Sequence, residues 1–162
     1  MSTDPTRCPA THLTTDFGAP DVAPSSDSAP VDEAELARLQ ALLKAYWAAF
    51  DAGRQAAAGK TLRSGPRGGG RDVDAIVQHV RGAEAGYLAR LAWKFKADEG
   101  ADVEAELKRT HQAALDALAA AARGELPTRG PRGGVVWAPR YFVRRVGWHV
   151  LDHLWEIEDR EM

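Results

Sequence analysis

Two histidines four residues apart, His149 and His153, lie in the amphipathic stretch from Arg140 to Arg160. On a helix that spacing stacks side chains one turn apart on a single face. Phe142, Val146, Val150 and Ile157 fall on the same arc, so both imidazoles are expected on a buried face. An unpaired polar ring there costs a few kcal/mol, so each needs a partner. The rings can hydrogen-bond within a core. They can also share a metal ion, because neutral imidazole is a common ligand for zinc, nickel and related ions. Such pairs arise by chance in many helices, so the pair alone does not choose between the two.

Other groups fall close to this pair. Arg145, Asp152 and Glu156 share a stripe with His149. Asp152 or Glu156 is expected to accept the second ring N–H of a histidine and so orient it, the rival reading being a solvated charged edge. A third histidine, His79, stands at the edge of the apolar arc Val73, Ile76, Val80, Ala83, Tyr87 and Leu91. Its stripe continues through Gly82, Ala83 and Gly86, small residues that leave room for an ion, a ligand or a partner helix. Glu84 projects from the apolar side of the same helix, either as a paired structural carboxylate or as a group near the site. His111 is read as a hydrogen-bonded core or boundary histidine rather than a fourth ligand, and His12 as a solvated side chain.

The elements that must position these groups are helices. Asp32 followed by Glu35 resembles a capping box and opens a helix to about Ala58, with Leu36, Leu39, Leu43, Tyr46, Trp47 and Phe50 at helical spacing. A second helix runs from Asp72 or Asp74 to about Leu91. A third runs from Asp102 to Arg123, with Val103, Leu107, Thr110, Ala114, Leu115 and Leu118 on its stripe and Gly124 as its C-terminal cap. The last begins at Pro139, which suits a first helical turn, and only Gly147 interrupts its helix formers. Residues 92–101 read as a connector or a fraying end. Gly65-Pro66-Arg67-Gly68-Gly69-Gly70 recurs as Gly130-Pro131-Arg132-Gly133-Gly134, each copy shortly before a histidine-bearing helix. Both read as flexible connectors; an anion-holding loop is the rival, and neither has the Lys-Ser/Thr of a phosphate-binding loop. Residues 1–30, with five prolines and no helical period, form an extended or disordered N-terminal segment, laid over the domain through His12 to Phe17 if it packs at all.

With 162 residues, the chain is long enough for one domain with a core, placed at residues 31–162. A hydrophobic fraction of 44% is ordinary for a globular protein. Lys plus Arg is 21 and Asp plus Glu is 23, a formal charge of -2, which supplies no basic field for nucleic acid and no attraction to an anionic membrane. No apolar run approaches the roughly 18–20 residues needed to span a bilayer. Cys8 is the only cysteine, which excludes an intramolecular disulfide and a cysteine-based metal site. With no charged-then-apolar leader pattern, a cytoplasmic location is expected.

The segments Ile76-Val77-Gln78-His79-Val80-Arg81-Gly82-Ala83-Glu84 and Arg145-Val146-Gly147-Trp148-His149-Val150-Leu151-Asp152-His153-Leu154-Trp155-Glu156 resemble the DinB-like superfamily of four-helix bundles. The likeness spans about residues 32–160. It implies an all-α, up-down-down-up bundle in which His79, His149 and His153 hold a divalent ion. Imidazole-only ligation points to zinc or nickel, with iron also open, and away from magnesium or calcium. Three protein ligands leave coordination positions free, as in catalytic sites. Related families include isomerases and transferases that act with mycothiol or bacillithiol, so the implied partner is a low-molecular-weight thiol or another small molecule. The rival readings are a non-enzymatic metal-binding or homodimerising bundle, and a plain helical domain whose histidines are satisfied in the core. The topology makes the second and third helices parallel, so the ten-residue connector must be nearly extended or the helices must end early. Rings more than about 8 Å apart would exclude a shared ion.

Overall fold

The computed structural model describes residues 22–65, 70–130 and 134–162. Cys8, His12, the His12–Phe17 stretch and the middle of each glycine-rich repeat lie outside the described residues. Three aspartates start three helices. The side chains of Asp32, Asp72 and Asp102 accept the backbone N–H groups of Glu35, Ala75 and Ala105, and open α1 (Glu33–Ala56), α2 (Val73–Arg90) and α3 (Val103–Ala122). Each bond satisfies a donor that the first helical turn cannot. The fourth helix, α4 (Pro139–Arg160), starts instead on Pro139, which has no N–H to satisfy. Among the described residues the chain is an all-α four-helix bundle, with only two isolated bridges, Leu62 with Glu161 and Arg129 with Val135, as strand-like pairings. No helix of the described residues is long and apolar enough to cross a membrane.

The apolar stripes meet in one core. Leu39, Leu43 and Phe50 of α1, Ile76, Val80 and Leu88 of α2, Leu107 and Leu118 of α3, and Phe142, Val146, Val150 and Ile157 of α4 are all buried. On α2 the expected arc is rotated: Ala83 and Tyr87 are half-buried, and Glu84 takes the buried position between Val80 and Leu88. The capping box at Asp32 is half-formed. Glu35 donates its N–H to Asp32, but its carboxylate binds Arg38 at 2.7 Å and Arg140 of α4 at 2.9 Å. These guanidinium groups hold that carboxyl well below the usual range, at about 2.

Glu35 meets Arg140, Tyr46 meets Gly147 and Gly53 meets Leu154, so α1 and α4 lie side by side in the same direction. A Cβ at Gly147 would stand 2.4 Å from a ring carbon of Tyr46. The glycine that looked like a helix interruption is therefore what lets the two helices close on each other. Gly147→Ala is expected to cost about 1–3 kcal/mol by overpacking, against roughly 1 kcal/mol regained in helix propensity. Its thermal midpoint should fall, and adding Tyr46→Ala should restore part of the loss. A midpoint that rises in Gly147→Ala alone would refute the close contact.

The connector between α2 and α3, residues 91–102, is anchored and not frayed. Ala92 takes a left-handed conformation, φ 59°, while the Trp93 N–H closes back onto the Leu88 carbonyl at 3.0 Å. Beyond it, the buried Glu106 accepts the Asp98 N–H at 2.9 Å and binds Arg109, which donates to the Lys96 carbonyl at 2.6 Å and lies over the Phe95 ring.

Residues 22–30 are exposed except for Asp27, which ties them to α4. Ser25–Ser28 form a single 3₁₀ turn whose Asp27, 1% exposed, is gripped by Arg144 of α4 through bonds of 2.8 and 3.1 Å. Arg140 adds bonds to the carbonyls of Ala29 and Pro30. A buried carboxylate with a two-pronged guanidinium partner is satisfied in a way that composition alone does not reveal.

Candidate metal centre

His79 projects from the second turn of α2, and His149 and His153 from the middle and latter part of α4. The Trp137 N–H bonds the Arg90 carbonyl at 2.8 Å, and Arg160 bonds the Arg71 carbonyl at 2.8 Å. The start of α4 thus lies at the end of α2 and its end at the start of α2, which brings the three rings level. Their centroids are 4.6–5.1 Å apart, and one nitrogen from each lies within 4.8 Å of the others. The Nε2 atoms of His79 and His149 are 3.3 Å apart. A tetrahedral ion about 2.0–2.1 Å from each nitrogen needs its ligands roughly 3.3–3.4 Å apart, so this pair already has the required separation. The widest separation, at most 4.8 Å, needs an adjustment of about 1–1.5 Å.

The electrostatics keep the nitrogens of His79 and His149 available as lone-pair donors. His149 and His153 are each 7% exposed, and His79 is half-buried. Burial, and then the charges of His153, His79, Arg145 and Arg71, push the His149 pKa down to about 3. Burial, followed by Arg71 and His153, lowers that of His79. His149 Nδ1 is buried without a hydrogen-bond partner among the described residues, so what its Nε2 meets decides whether the ring is satisfied. A cluster of three imidazoles, one with an orphaned nitrogen, fits a borderline transition metal and not a hard oxygen-seeking cation.

Glu156 stands behind His153. Its Oε2 is 2.8 Å from His153 Nδ1, and its Oε1 accepts from Arg160 at 2.6 Å. A carboxylate only accepts, so Nδ1 carries a ring proton and Nε2 is the atom left to take a metal. Arg160 also bonds the carbonyls of Arg63 and Arg71, both at 2.8 Å, and so ties this arrangement to the chain before α2. Of the two carboxylates expected here, Glu156 makes the contact and Asp152 faces solvent. Glu156→Ala is expected to weaken metal binding about 10–100-fold, as loss of such supporting groups does elsewhere. Competition against a chromophoric chelator measures this; equal affinity in both proteins would remove Glu156 from the site.

Two expected neighbours are placed differently. Glu84, 3% exposed, accepts the Trp47 indole N–H at 2.6 Å and lies 3.3 Å from His111 Nε2, out of line for a hydrogen bond. His111 stacks on Trp47, with centroids 4.0 Å apart and planes at 10°. These contacts put Glu84 in a buried cluster with α1 and α3. Gly82 and Gly86 are exposed, and a Cβ on either would meet nothing within 4 Å, so that stripe opens outward and does not receive a helix.

Arg145, one turn before His149, keeps its guanidinium 5.1 Å from the Trp148 ring and 5.8 Å from those of Tyr87 and Trp137. The Tyr87 ring is in turn 5.8 Å from that of His149. Tyr87 and Arg145 also line a cleft of about 900 Å³ between the end of α2, the approach to α4 and the docked Ser25–Ser28 turn. Sequence reasoning missed Tyr87, Trp137 and Arg160 as neighbours of the site. Arg160 had a local signal, being four residues after Glu156; Trp137 lies in a loop and had none.

Compared with protein-family models, with curated proteins and with solved structures, this chain finds no match.

Proposed function

We propose that this chain binds one divalent transition-metal ion through His79, His149 and His153, zinc or nickel before iron, as a member of the DinB-like bundles. The carrying observation is the convergence of three imidazoles from two helices, with nitrogens within 4.8 Å and one pair at 3.3 Å. The parallel α1 and α4, with α2 antiparallel to α4, support the same family reading.

Three protein ligands leave room for an exogenous one. When bound, the ion supplies Lewis acidity and favours the deprotonated form of a thiol or water. The protein's own groups prepare the site: Glu156 fixes the His153 tautomer, burial keeps His149 neutral, and Tyr87 separates the centre from the cleft. The most specific enzymatic reading is a thiol-dependent transferase or isomerase using a cofactor of the mycothiol class. A cytoplasmic location, where such thiols stay reduced, suits it. A non-enzymatic metal-binding or homodimerising bundle is the alternative.

Metal analysis of protein purified without a histidine tag tests the ion, with close to one equivalent expected. Mycothiol and an electrophile are then supplied together, and conversion of the electrophile is followed alongside free thiol, which a transferase consumes and an isomerase regenerates. Metal uptake without turnover favours the non-enzymatic bundle; no uptake overturns the metal reading.

A further inference from the structure

Residues 22–30 run over the start of α4 and supply part of the wall of the large cleft. Pro24, Ser25 and Asp27 line it together with Tyr87, Trp137 and Tyr141. No apolar side chain of this stretch is buried, and Asp27 alone is. Leaving the bundle would therefore forfeit little apolar burial. The contacts that tie the stretch down come from two arginines one turn apart on α4. Arg144 grips the Asp27 carboxylate at 2.8 and 3.1 Å, and Arg140 donates to the carbonyls of Ala29 and Pro30. The Arg144 side chain is 46% exposed, whereas that of Asp27 is 1% exposed. A separation that carries Asp27 into water hydrates both charges and strands neither in the interior, unlike truncation of one partner. The far end of the stretch is fixed differently. Val31 packs on the core, Asp32 caps α1, and Arg140 is itself held to α1 by Glu35 at 2.9 Å.

We propose that residues 22–30 are a strap, latched by the Asp27–Arg144 ion pair and pivoting at Pro30, whose release removes one wall of the cleft and uncovers Trp137 while the four helices stay packed. Ordering such a stretch costs backbone entropy. With no apolar burial to offset that cost, the two-pronged ion pair decides which state is populated. Local openings of this kind lie below global unfolding in free energy, because few buried contacts are broken. The strap thus gives one cleft a closed and an open form without any change in the bundle. The latch involves none of the three histidines, so it stands or falls independently of the metal reading.

The test is amide hydrogen exchange on the full chain. The Asp27 and Ala29 N–H groups close the strap's own turn, on the carbonyls of Pro24 at 2.9 Å and Ser26 at 3.2 Å, and report its state. In the wild type they should exchange more slowly than in an unstructured chain, yet about 100-fold or more faster than amides in the middle of α4. Asp27→Asn and Arg144→Gln should each speed strap exchange by about tenfold or more, with the helical amides and the helicity unchanged. Acrylamide quenching is measured on the same proteins with and without Trp137→Phe, so that the difference isolates Trp137. That difference should grow when the latch is removed. Four results would overturn the strap. Wild-type strap amides at the unstructured rate would mean that nothing latches it. Strap amides that exchange only in step with α4, or loss of helicity in both latch variants, would make the stretch an integral part of the bundle. Unchanged strap exchange in both variants would mean that the ion pair is not the latch. Unchanged quenching of Trp137 would mean that the strap is no wall of the cleft.

Discussion

Replacing His149 by alanine is expected to reduce zinc or nickel binding by roughly 100- to 1,000-fold, while the bundle stays folded. Structural zinc sites with four ligands give about 10–16 kcal/mol of apparent binding energy, so one ligand accounts for about 3–4 kcal/mol. The His149 Nε2 lies 3.3 Å from that of His79, and its Nδ1 has no hydrogen-bond partner among the described residues. His153→Ala should behave alike, because its Nε2 is presented by the Glu156 contact. His111→Ala is the control. That ring belongs to the Trp47 and Glu84 cluster, and metal affinity should not change. Helicity measured in parallel separates loss of a ligand from loss of the fold. Should His149→Ala and His111→Ala bind metal equally well, the three converging rings would not be the site.

The helices and their histidines were legible because both rest on local rules. Aspartates at positions 32, 72 and 102 mark three helix starts by the bond they make three residues on. His149 and His153 share a face through helical periodicity alone. What escaped the sequence is what depends on how helices meet. Glu84 sits on the apolar side of α2 in either reading; only the positions of Trp47 and His111 on two other helices assign it to a buried cluster with them. Gly82 and Gly86 signalled a close approach, whereas the approach is made at Gly147, against Tyr46. A glycine's role depends on which face the partner covers, and the one-dimensional pattern does not fix the rotation of α2. Asp27 is the extreme case. In a stretch of proline and serine it reads as solvated, yet it is 1% exposed, because Arg144, 117 residues later, reaches back to it.

The metal-free protein is expected to lose stability steeply as pH falls through the window below 6.5, and a large part of that slope should vanish in His149→Leu. Burial, reinforced by His153 and His79, depresses the folded-state pKa of His149 to about 3, from an unfolded value near 6.5. The folded state therefore binds fewer protons than the unfolded state between those values. Stability rises with pH wherever the unfolded state holds more protons, so the contribution is fully present above pH 6.5 and is lost as pH falls toward the folded pKa. A shift of that size corresponds to on the order of 3–5 kcal/mol between neutral pH and about pH 3.5. His79, whose pKa is lowered in the same direction, adds a smaller amount with the same sign. Carboxylates such as Glu35, held at about 2 by its arginine neighbours, also weaken the fold in acid, but they do so equally in the variant and cancel in the difference. Urea unfolding from pH 7.5 to 4 of both metal-free proteins isolates the histidine. The wild type should lose more stability across that range by at least about 2 kcal/mol. Parallel curves would mean that His149 titrates in the folded protein much as it does in the unfolded chain, and so is not the buried neutral donor described above.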